Sequence, residues 1–270
     1  MSNKERLDIL LVNRGLFESR EKAKAAIMAG LIFMDTTRID KAGTKIPVDA
    51  NIIVKGNTLP YVSRGGLKLE KAINELNFDV KDKVMIDIGS STGGFTDCAL
   101  QNGAKFVYAL DVGTNQLVWK LRNDERVKVM EQTNFRHSVK EDFDVYEIDI
   151  ASIDVSFISL SLILPNLAEI IKDGGEVCVL VKPQFEAGKD KVGKGGIVRD
   201  KKVQLEVVEK VLLLANSVGF SMTNLSYSPI TGGEGNIEFL MLLKYNADKE
   251  VENSKINIEH IVNNAHNHFK

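Results

Sequence analysis

Four charged side chains stand where the neighbouring residues read as buried structure: Lys68 beside the apolar stripe of a helix, Asp154 in Ile153-Asp154-Val155-Ser156-Phe157-Ile158-Ser159, Lys182 closing Val179-Leu180-Val181, and Glu238 beside Phe239. A charge in such a place is costly unless it is paired or faces a cleft. Two accounts are open. One is structural ion pairing. The other is activation of a weakly acidic alcohol for attack on an electrophilic methyl group. There the hydroxyl must lose its proton, and a lysine made less basic by burial and by a second lysine can accept that proton or stabilise the oxyanion. Asp154 and Glu238 would hold the lysines in position and keep the site near neutral. Most of the rate in such a transfer comes from in-line placement of the reacting atoms, with effective molarities of ~10⁵ M or more in favourable cases.

The methyl donor needs its own seat, and Asp87-Ile88-Gly89-Ser90-Ser91-Thr92-Gly93-Gly94-Phe95-Thr96 has the composition of one. Residues 84–88 read as a strand and a helix starts around Phe95, so the glycines allow a tight turn and the free helix amides point into the crevice. A dinucleotide fingerprint needs a glycine where Ser91 stands and is met only in part. Asp87, Gly89 and Gly93 instead spell Asp-x-Gly-x-x-x-Gly. That spacing suits a cofactor without pyrophosphate, whose cationic amino and sulfonium groups welcome an acid. Asp111, closing the next strand, is placed to accept hydrogen bonds from ribose hydroxyls. Together these features point to S-adenosylmethionine; glycines serving a turn alone are the bland alternative. A NAD-dependent dehydrogenase is disfavoured by the spacing and by the lack of a histidine nearby to handle a hydride.

The elements that must position these residues alternate along the chain. Strands are expected at 84–88, 106–112, 127–132, 153–158 and 176–182, and helices at 95–101, 116–122, 160–171 and 203–218. Ahead of them Leu69, Ala72, Ile73 and Leu76 follow helical spacing, with Lys68 beside that stripe. The rhythm predicts an α/β fold, an open and mainly parallel sheet with helices on both faces and ligands at the carboxyl ends of its strands. The closing strands, 223–228 and 237–244, have no helix between them and predict an antiparallel edge hairpin. A small α+β domain comes first. Leu7, Leu10 and Leu11 mark a helix stopped by Gly15, Ser19 caps a second helix with Ala23, Ala26 and Ile27, and short strands follow at 31–34 and 51–55. The domains are set at 1–60 and 67–246, with a linker at 61–66 and a carboxyl-terminal tail at 247–270.

Composition narrows the class. Hydrophobic residues at 44% and charged residues at 27% are ordinary for a globular protein with a large core. Cys98 and Cys178, each within an apolar run, read as buried thiols of a cytoplasmic protein, neither a disulfide framework nor a metal knuckle. No run approaches the ~18 apolar residues of a spanning helix, and no signal-peptide core follows Met1, which argues against a membrane role. Asn264 stands one turn after His260, where a helical metal pair would need histidine, so no metal is expected. Trp119, with Leu117 and Leu121, reads as helix packing. The net charge of −2 conceals ten basic against seven acidic residues before Pro60. That local excess suits a nucleic-acid partner.

The order Lys68, Asp154, Lys182, Glu238 around such a loop resembles the FtsJ-type ribose 2′-O-methyltransferases, which have a class I (Rossmann-like) methyltransferase sheet. More narrowly, Ser63-Arg64-Gly65-Gly66-Leu67-Lys68-Leu69, Ser90-Ser91-Thr92-Gly93-Gly94-Phe95-Thr96, Asp154-Val155-Ser156-Phe157-Ile158-Ser159-Leu160 and Val181-Lys182-Pro183-Gln184-Phe185-Glu186 resemble the TlyA (haemolysin A) family. Residues 6–30 resemble the alpha-L RNA-binding motif of a small-subunit ribosomal protein. The resemblance covers about residues 5–245. It implies a two-domain enzyme that methylates the 2′-hydroxyl of cytidines in 16S or 23S ribosomal RNA, with ribosomal subunits as partners. Carried over, Lys68, Asp154, Lys182 and Glu238 are the catalytic tetrad with Lys182 central. Gly89, Ser91, Gly93, Asp111 and Asn134 take cofactor positions, with Asp87, Ser90, Thr92, Gly94, Phe95 and Thr96 completing the seat. Asn134 precedes Phe135-Arg136 where many relatives have an acid, and its amide can still bond the adenine.

Arg6, Arg14, Arg20, Lys22 and Lys24 are expected to form a basic RNA-facing surface, joined by Arg64 and by Lys189, Lys191 and Lys194. Such a surface would read mainly phosphates and shape. The last three lysines lie in the glycine-rich segment 188–196, read as a loop that closes over a flipped nucleotide. Residues 231–236 form a similar loop positioning Glu238. Two other readings are a membrane-active haemolysin, opposed by the absence of a spanning helix, and a non-enzymatic RNA-binding assembly factor.

Overall fold

Three leucines, Leu7, Leu10 and Leu11, fall on one helical face, and burying each stabilises the structure by roughly 1.5–3 kcal/mol. In the computed structural model, which describes residues 4–17, 19–55 and 59–270, that face closes the core of the first of two units, divided between Ser63 and Arg64. Strand β1 (Lys4–Arg6) runs into α1 (Leu7–Asn13), and Gly15 turns the chain at φ +69°. Ser19 accepts from the Lys22 amide to cap α2 (Arg20–Met28). The strands β2 (Ile32–Met34), β3 (Thr37–Arg38), β4 (Lys45–Pro47) and β5 (Ile52–Val54) follow. β2 lies between β3 and β5, while β4 pairs antiparallel with β1. Phe17, Ala23, Ala26, Ile27, Ile32 and Ile46 join the leucines in the core.

The second unit starts with α3 (Gly66–Leu76), whose first turn contains Gly66, expected to belong to a linker. Leu69, Ala72 and Leu76 are its buried stripe. Then come β6 (Val84–Ile88), α4 (Gly94–Gln101), β7 (Phe106–Leu110), α5 (Trp119–Arg122), β8 (Val127–Met130), β9 (Ile150–Ile153), α6 (Leu164–Ala168), β10 (Glu176–Val181), α7 (Pro183–Glu186), α8 (Lys201–Ser217), β11 (Phe220–Tyr227), β12 (Phe239–Tyr245) and α9 (Ile258–His268). Seven strands make one sheet in the order β11-β12-β10-β9-β6-β7-β8. The five from β10 to β8 are parallel, and β12 and β11 form the expected antiparallel hairpin at one edge. β6 and β7 are buried along their whole length, as strands covered on both faces must be.

Several elements depart from the periodicity. The helix expected at 116–122 is reduced to α5 because Asn115 takes φ +53° and Val118 is extended, while the Glu131 carboxylate accepts from the amides of Asn115, Gln116 and Leu117 at 2.7, 2.8 and 3.0 Å. Trp119, expected to pack, is 76% exposed, while Leu117 and Leu121 are buried. Pro165 sits in the first turn of α6, so the helix expected at 160–171 is broken into a 3-10 turn at Leu160–Leu162 and α6. The strand expected at 153–158 ends at Ile153. Residues 247–270, expected as a tail, carry α9, which buries Val262 and Ala265 against α8 and β11. Cys98 and Cys178 are buried, as their surroundings suggested.

Candidate active site

Adjacent strand ends assemble the site. β9 and β10 are parallel neighbours and β12 runs antiparallel beside β10, with Phe239 opposite Val181. The residue after β9 (Asp154), the residue after β10 (Lys182) and the residue before β12 (Glu238) therefore meet at one edge, and α3 brings Lys68 to them. Lys68 Nζ lies 2.8 Å from Glu238 Oε2 and 3.3 Å from Asp154 Oδ2, and Lys182 Nζ lies 2.5 Å from Asp154 Oδ1. The sequence Glu238, Lys68, Asp154, Lys182 is thus a chain of alternating charge. All four predicted residues are brought together. The contact at Asp154 Oδ1 is electrostatic, since that oxygen has no aligned hydrogen bond.

Burial opposes the charge on Lys68, but Asp154 and Glu238 outweigh it and raise its pKa. The expectation of a lysine made less basic fails for Lys68, because each neighbour it touches is an acid. Burial likewise opposes ionisation of Asp154, and the two lysines outweigh it and lower its pKa. Three further side chains complete the cluster. Ser156 Oγ accepts from Lys182 Nζ at 3.2 Å, Gln184 Nε2 donates to Glu238 Oε1 at 3.2 Å, and Asn236 ties Val198 N and Gly196 O to the loop before Glu238. They were missed because hydroxyls and amides carry no cost that flags them in a sequence. Their signal is position, two residues after Asp154, after Lys182 and before Glu238.

The glycine-rich loop lies directly against this edge. Gly89, Ser91 and Gly93 take φ of +89°, +48° and +99°. A Cβ on Gly89 would fall 2.7 Å from the Asp154 carbonyl oxygen, so this glycine both turns the loop and lets β9 approach. Asp111 accepts from Ser91 N at 2.9 Å and Gly113 N at 2.7 Å, fastening the loop to β7. Ser90 Oγ is buried without a hydrogen-bond partner. Ser91 and Thr92 are exposed, and Gly94 opens α4.

The side chains of Asp87, Phe95 and Thr96, placed in the cofactor seat from the sequence, are buried. Asp87 is wholly buried, accepting from Thr96 Oγ1 at 2.7 Å and Ser152 Oγ at 2.9 Å. Burial pushes its carboxyl up to about 6 against those two hydrogen bonds. Phe95 and Thr96 are buried with it, so these three side chains shape the loop from beneath. Asn134 Oδ1 caps the turn at Phe135–His137 by accepting from Arg136 N.

Of the predicted RNA-facing residues, Arg6 and Arg20 both bind the buried Asp8, at 3.0 and 2.8 Å. Arg6 beside Asp8 holds that carboxyl far below the usual range, with burial opposing and Arg20 assisting. Arg14 donates to the carbonyls of Ala50, at 2.7 Å, and Val48. These arginines therefore hold the first unit together as well as presenting charge. Lys22 is exposed and Lys24 half-exposed. Arg64 donates to Thr231 O at 3.1 Å, bracing the loop before Glu238. Lys189, Lys191 and Lys194 are exposed, with Lys191 paired to Glu206 at 2.5 Å.

Residues 61–245 match the model of the FtsJ-like methyltransferases, and residues 5–52 match the S4 domain. The chain belongs to the FtsJ-like methyltransferase family. The seven-stranded sheet lies within the residues matched by that family, with the S4 domain ahead of it in the chain. The chain is 57% identical over its whole length to YqxC of Bacillus subtilis, covering 96% of that protein. It is 38% identical over 92% of its length to the 16S/23S rRNA (cytidine-2′-O)-methyltransferase TlyA of Mycobacterium tuberculosis, covering 93% of that protein. A solved structure from Streptococcus thermophilus superposes with a TM-score of 0.79 at 53% identity, covering 100% of this chain and 98% of that one. Another relative is named hemolysin A, from Brachyspira hyodysenteriae, 44% identical over 87% of this chain and covering 98% of that protein. Among the described residues no helix is long and apolar enough to cross a membrane.

Proposed function

We propose that this FtsJ-family enzyme transfers the methyl group of S-adenosylmethionine to the 2′-hydroxyl of a cytidine in ribosomal RNA, acting in the cytoplasm on ribosomal subunits, with the S4 domain holding the RNA. One observation carries the reading: the alternating chain Glu238, Lys68, Asp154, Lys182 lies against a loop with three left-handed residues and an unpartnered buried hydroxyl. The names of the relatives support the cytidine and the ribosomal RNA.

The loop fits the cofactor. Ser90 Oγ has a hydrogen bond to give, Gly89 and Gly93 supply the positive φ that turns the loop while Asp154 and Leu121 fill the side where a Cβ would stand, and Asn134, which is exposed, uses its Oδ1 to cap Arg136 N. Gly89, Ser90, Ser91 and Gly93 would hold the amino acid portion, Asp111 the ribose and Asn134 the adenine. When bound, S-adenosylmethionine supplies an electrophilic methyl carbon on a sulfonium. Lys182 Nζ has three N–H groups, donates to Ser156 Oγ, faces Asp154 as its counter-ion, and would turn an N–H to the acceptor oxygen. That bond would aim an oxygen lone pair at the methyl carbon; as the C–O bond forms and the C–S bond breaks, the hydroxyl proton would pass to solvent, with Lys182 offsetting the negative charge on the oxygen as the proton leaves. Lys68, held as a cation, fixes Asp154 and Glu238 and does not accept the proton.

Labelled S-adenosylmethionine with unmethylated ribosomal subunits tests this. Wild type should place the label on the ribose 2′-oxygen of a cytidine, and Lys182→Ala should abolish transfer while still binding the cofactor. Normal methylation by that variant, or label on a base, would overturn the reading.

A further inference from the structure

Residues 155–159 leave β9 as an arch, with Phe157 at φ +64° and its side chain 91% exposed. A phenylalanine in that backbone region costs roughly 1–3 kcal/mol and persists only where its surroundings impose it. Here they are two grips from one short helix. Lys182, immediately before α7, holds the near foot through Asp154 and Ser156. Glu186, the last residue of α7, holds the far foot: Oε1 accepts from Leu160 N at 2.7 Å and Oε2 from Ser159 Oγ at 2.8 Å. The two grips are four positions apart, one helical turn, so their side chains reach opposite ends of the same segment.

Glu186 is 5% exposed, and no cation forms a salt bridge with its carboxylate among the described residues; Lys210 Nζ donates only to its backbone oxygen, at 2.9 Å. A buried carboxylate is costly, and packing alone does not call for one. Its two accepted hydrogen bonds account for it, because a charged acceptor holds an amide and a hydroxyl more tightly than a neutral one.

We propose that Glu186 is a positioning residue for methyl transfer. By fixing Ser159 and Leu160 it sets the height and stiffness of the arch. That seats Ser156 against Lys182, and the remaining Lys182 N–H keeps its aim at the acceptor oxygen. The arch and α7 also border a cleft of about 490 Å³ lined by Phe157, Gln184 and Phe185, so slack in the arch disturbs the acceptor side and leaves the glycine loop alone. The inference rests on the catalytic reading of the tetrad given above.

The test compares full-length wild type, Glu186→Ala and Glu186→Gln on unmethylated ribosomal subunits, with cofactor affinity and amide exchange of residues 157–161 measured alongside. Glu186→Ala should lower kcat on the order of 10- to 100-fold, as misplacement by about 1 Å does, with cofactor Kd changed less than about twofold and exchange accelerated. Glu186→Gln keeps an acceptor for Leu160 N and can donate to Ser159 Oγ, and should recover to within about threefold of wild type. Should Glu186→Ala fail to fold, Ser159→Ala removes one of the two grips and should give a smaller loss of kcat in the same direction. Faster exchange with unchanged kcat would overturn the proposal. So would equal losses in the Ala and Gln variants accompanied by lost cofactor affinity, the mark of a merely structural role. Wild type inactive on every ribosomal RNA would sink the catalytic reading and this role with it, whereas active wild type with an unimpaired Glu186→Ala would sink this role alone.

Discussion

Substitution of Gly232 by alanine should disable the tetrad while every charged residue is kept. Gly232 has φ −71°, which any residue adopts, so the added methyl brings no backbone strain. Its Cβ would lie 2.1 Å from Glu238 Oε1 and 2.5 Å from Glu238 Cδ. Contact at an ordinary separation requires the carboxylate to move by roughly 1 Å or more. Glu238 is buried and cannot move freely, since Lys68 holds Oε2 at 2.8 Å and Gln184 holds Oε1 at 3.2 Å. Overpacking at such a point costs typically 1–3 kcal/mol of stability. Misplacement by about 1 Å costs on the order of a hundredfold in rate, about 2.7 kcal/mol of activation free energy. Gly233→Ala is the control, because a Cβ there meets nothing within 4 Å. The assay is transfer of labelled methyl to unmethylated ribosomal RNA, with cofactor affinity and Tm followed in parallel. Gly232→Ala should lose most of its kcat and retain the cofactor, and Gly233→Ala should behave as wild type. Equal rates in the two variants would refute the claim that Glu238 is sterically seated by Gly232.

Three other outcomes are expected. Asp87 is raised to about 6 in the folded protein, so its folded form binds a proton more readily than its unfolded form. Its contribution is most favourable below about pH 4 and declines by up to about 3 kcal/mol as pH rises through 6; Asp87→Asn should flatten that decline in chemical denaturation, and unchanged pH dependence would argue against it. Asp8→Ala strips the partner from Arg6 and Arg20 and should destabilise the S4 unit by about 2 kcal/mol, less than a fully buried pair because both arginines are partly exposed. A Tm of that unit within about 1 °C of wild type would contradict it. Replacing Lys22 and Lys24 by alanine should weaken binding to ribosomal RNA and reduce the slope of log affinity against log salt by about 1 to 2, with methyl transfer at saturating RNA little changed; an unaltered slope would exclude both lysines from phosphate contact.

Chemical type and order were legible in the chain. Lys68, Asp154, Lys182 and Glu238 each interrupt apolar context, and the penalty for burying charge makes such residues conspicuous without a structure. The alternation of strand and helix was legible for the same kind of reason, since two-sided burial of β6 and β7 demands largely apolar runs, interrupted in β6 by Asp87. Local periodicity misled where a distant side chain competes for backbone amides. Glu131 binds the three N–H groups of residues 115–117 in the segment that leads into α5, and no pattern within 116–122 records this.

What only the tertiary structure decided is how the groups are used. Asp87 reads as a cofactor acid but lies beneath the loop, enclosed by Thr96 and Ser152, the latter 65 residues away. Arg6, Arg14 and Arg20 read as RNA contacts, yet Asp8 and two carbonyls engage them. Lys68 stays charged because acids 86 and 170 residues away converge on it. Sequence by itself determines which side chains are too costly to bury alone. Folding determines which partner offsets that cost, because the electrostatic and hydrogen-bonding terms depend on distances of a few ångströms that only the packed strand ends establish.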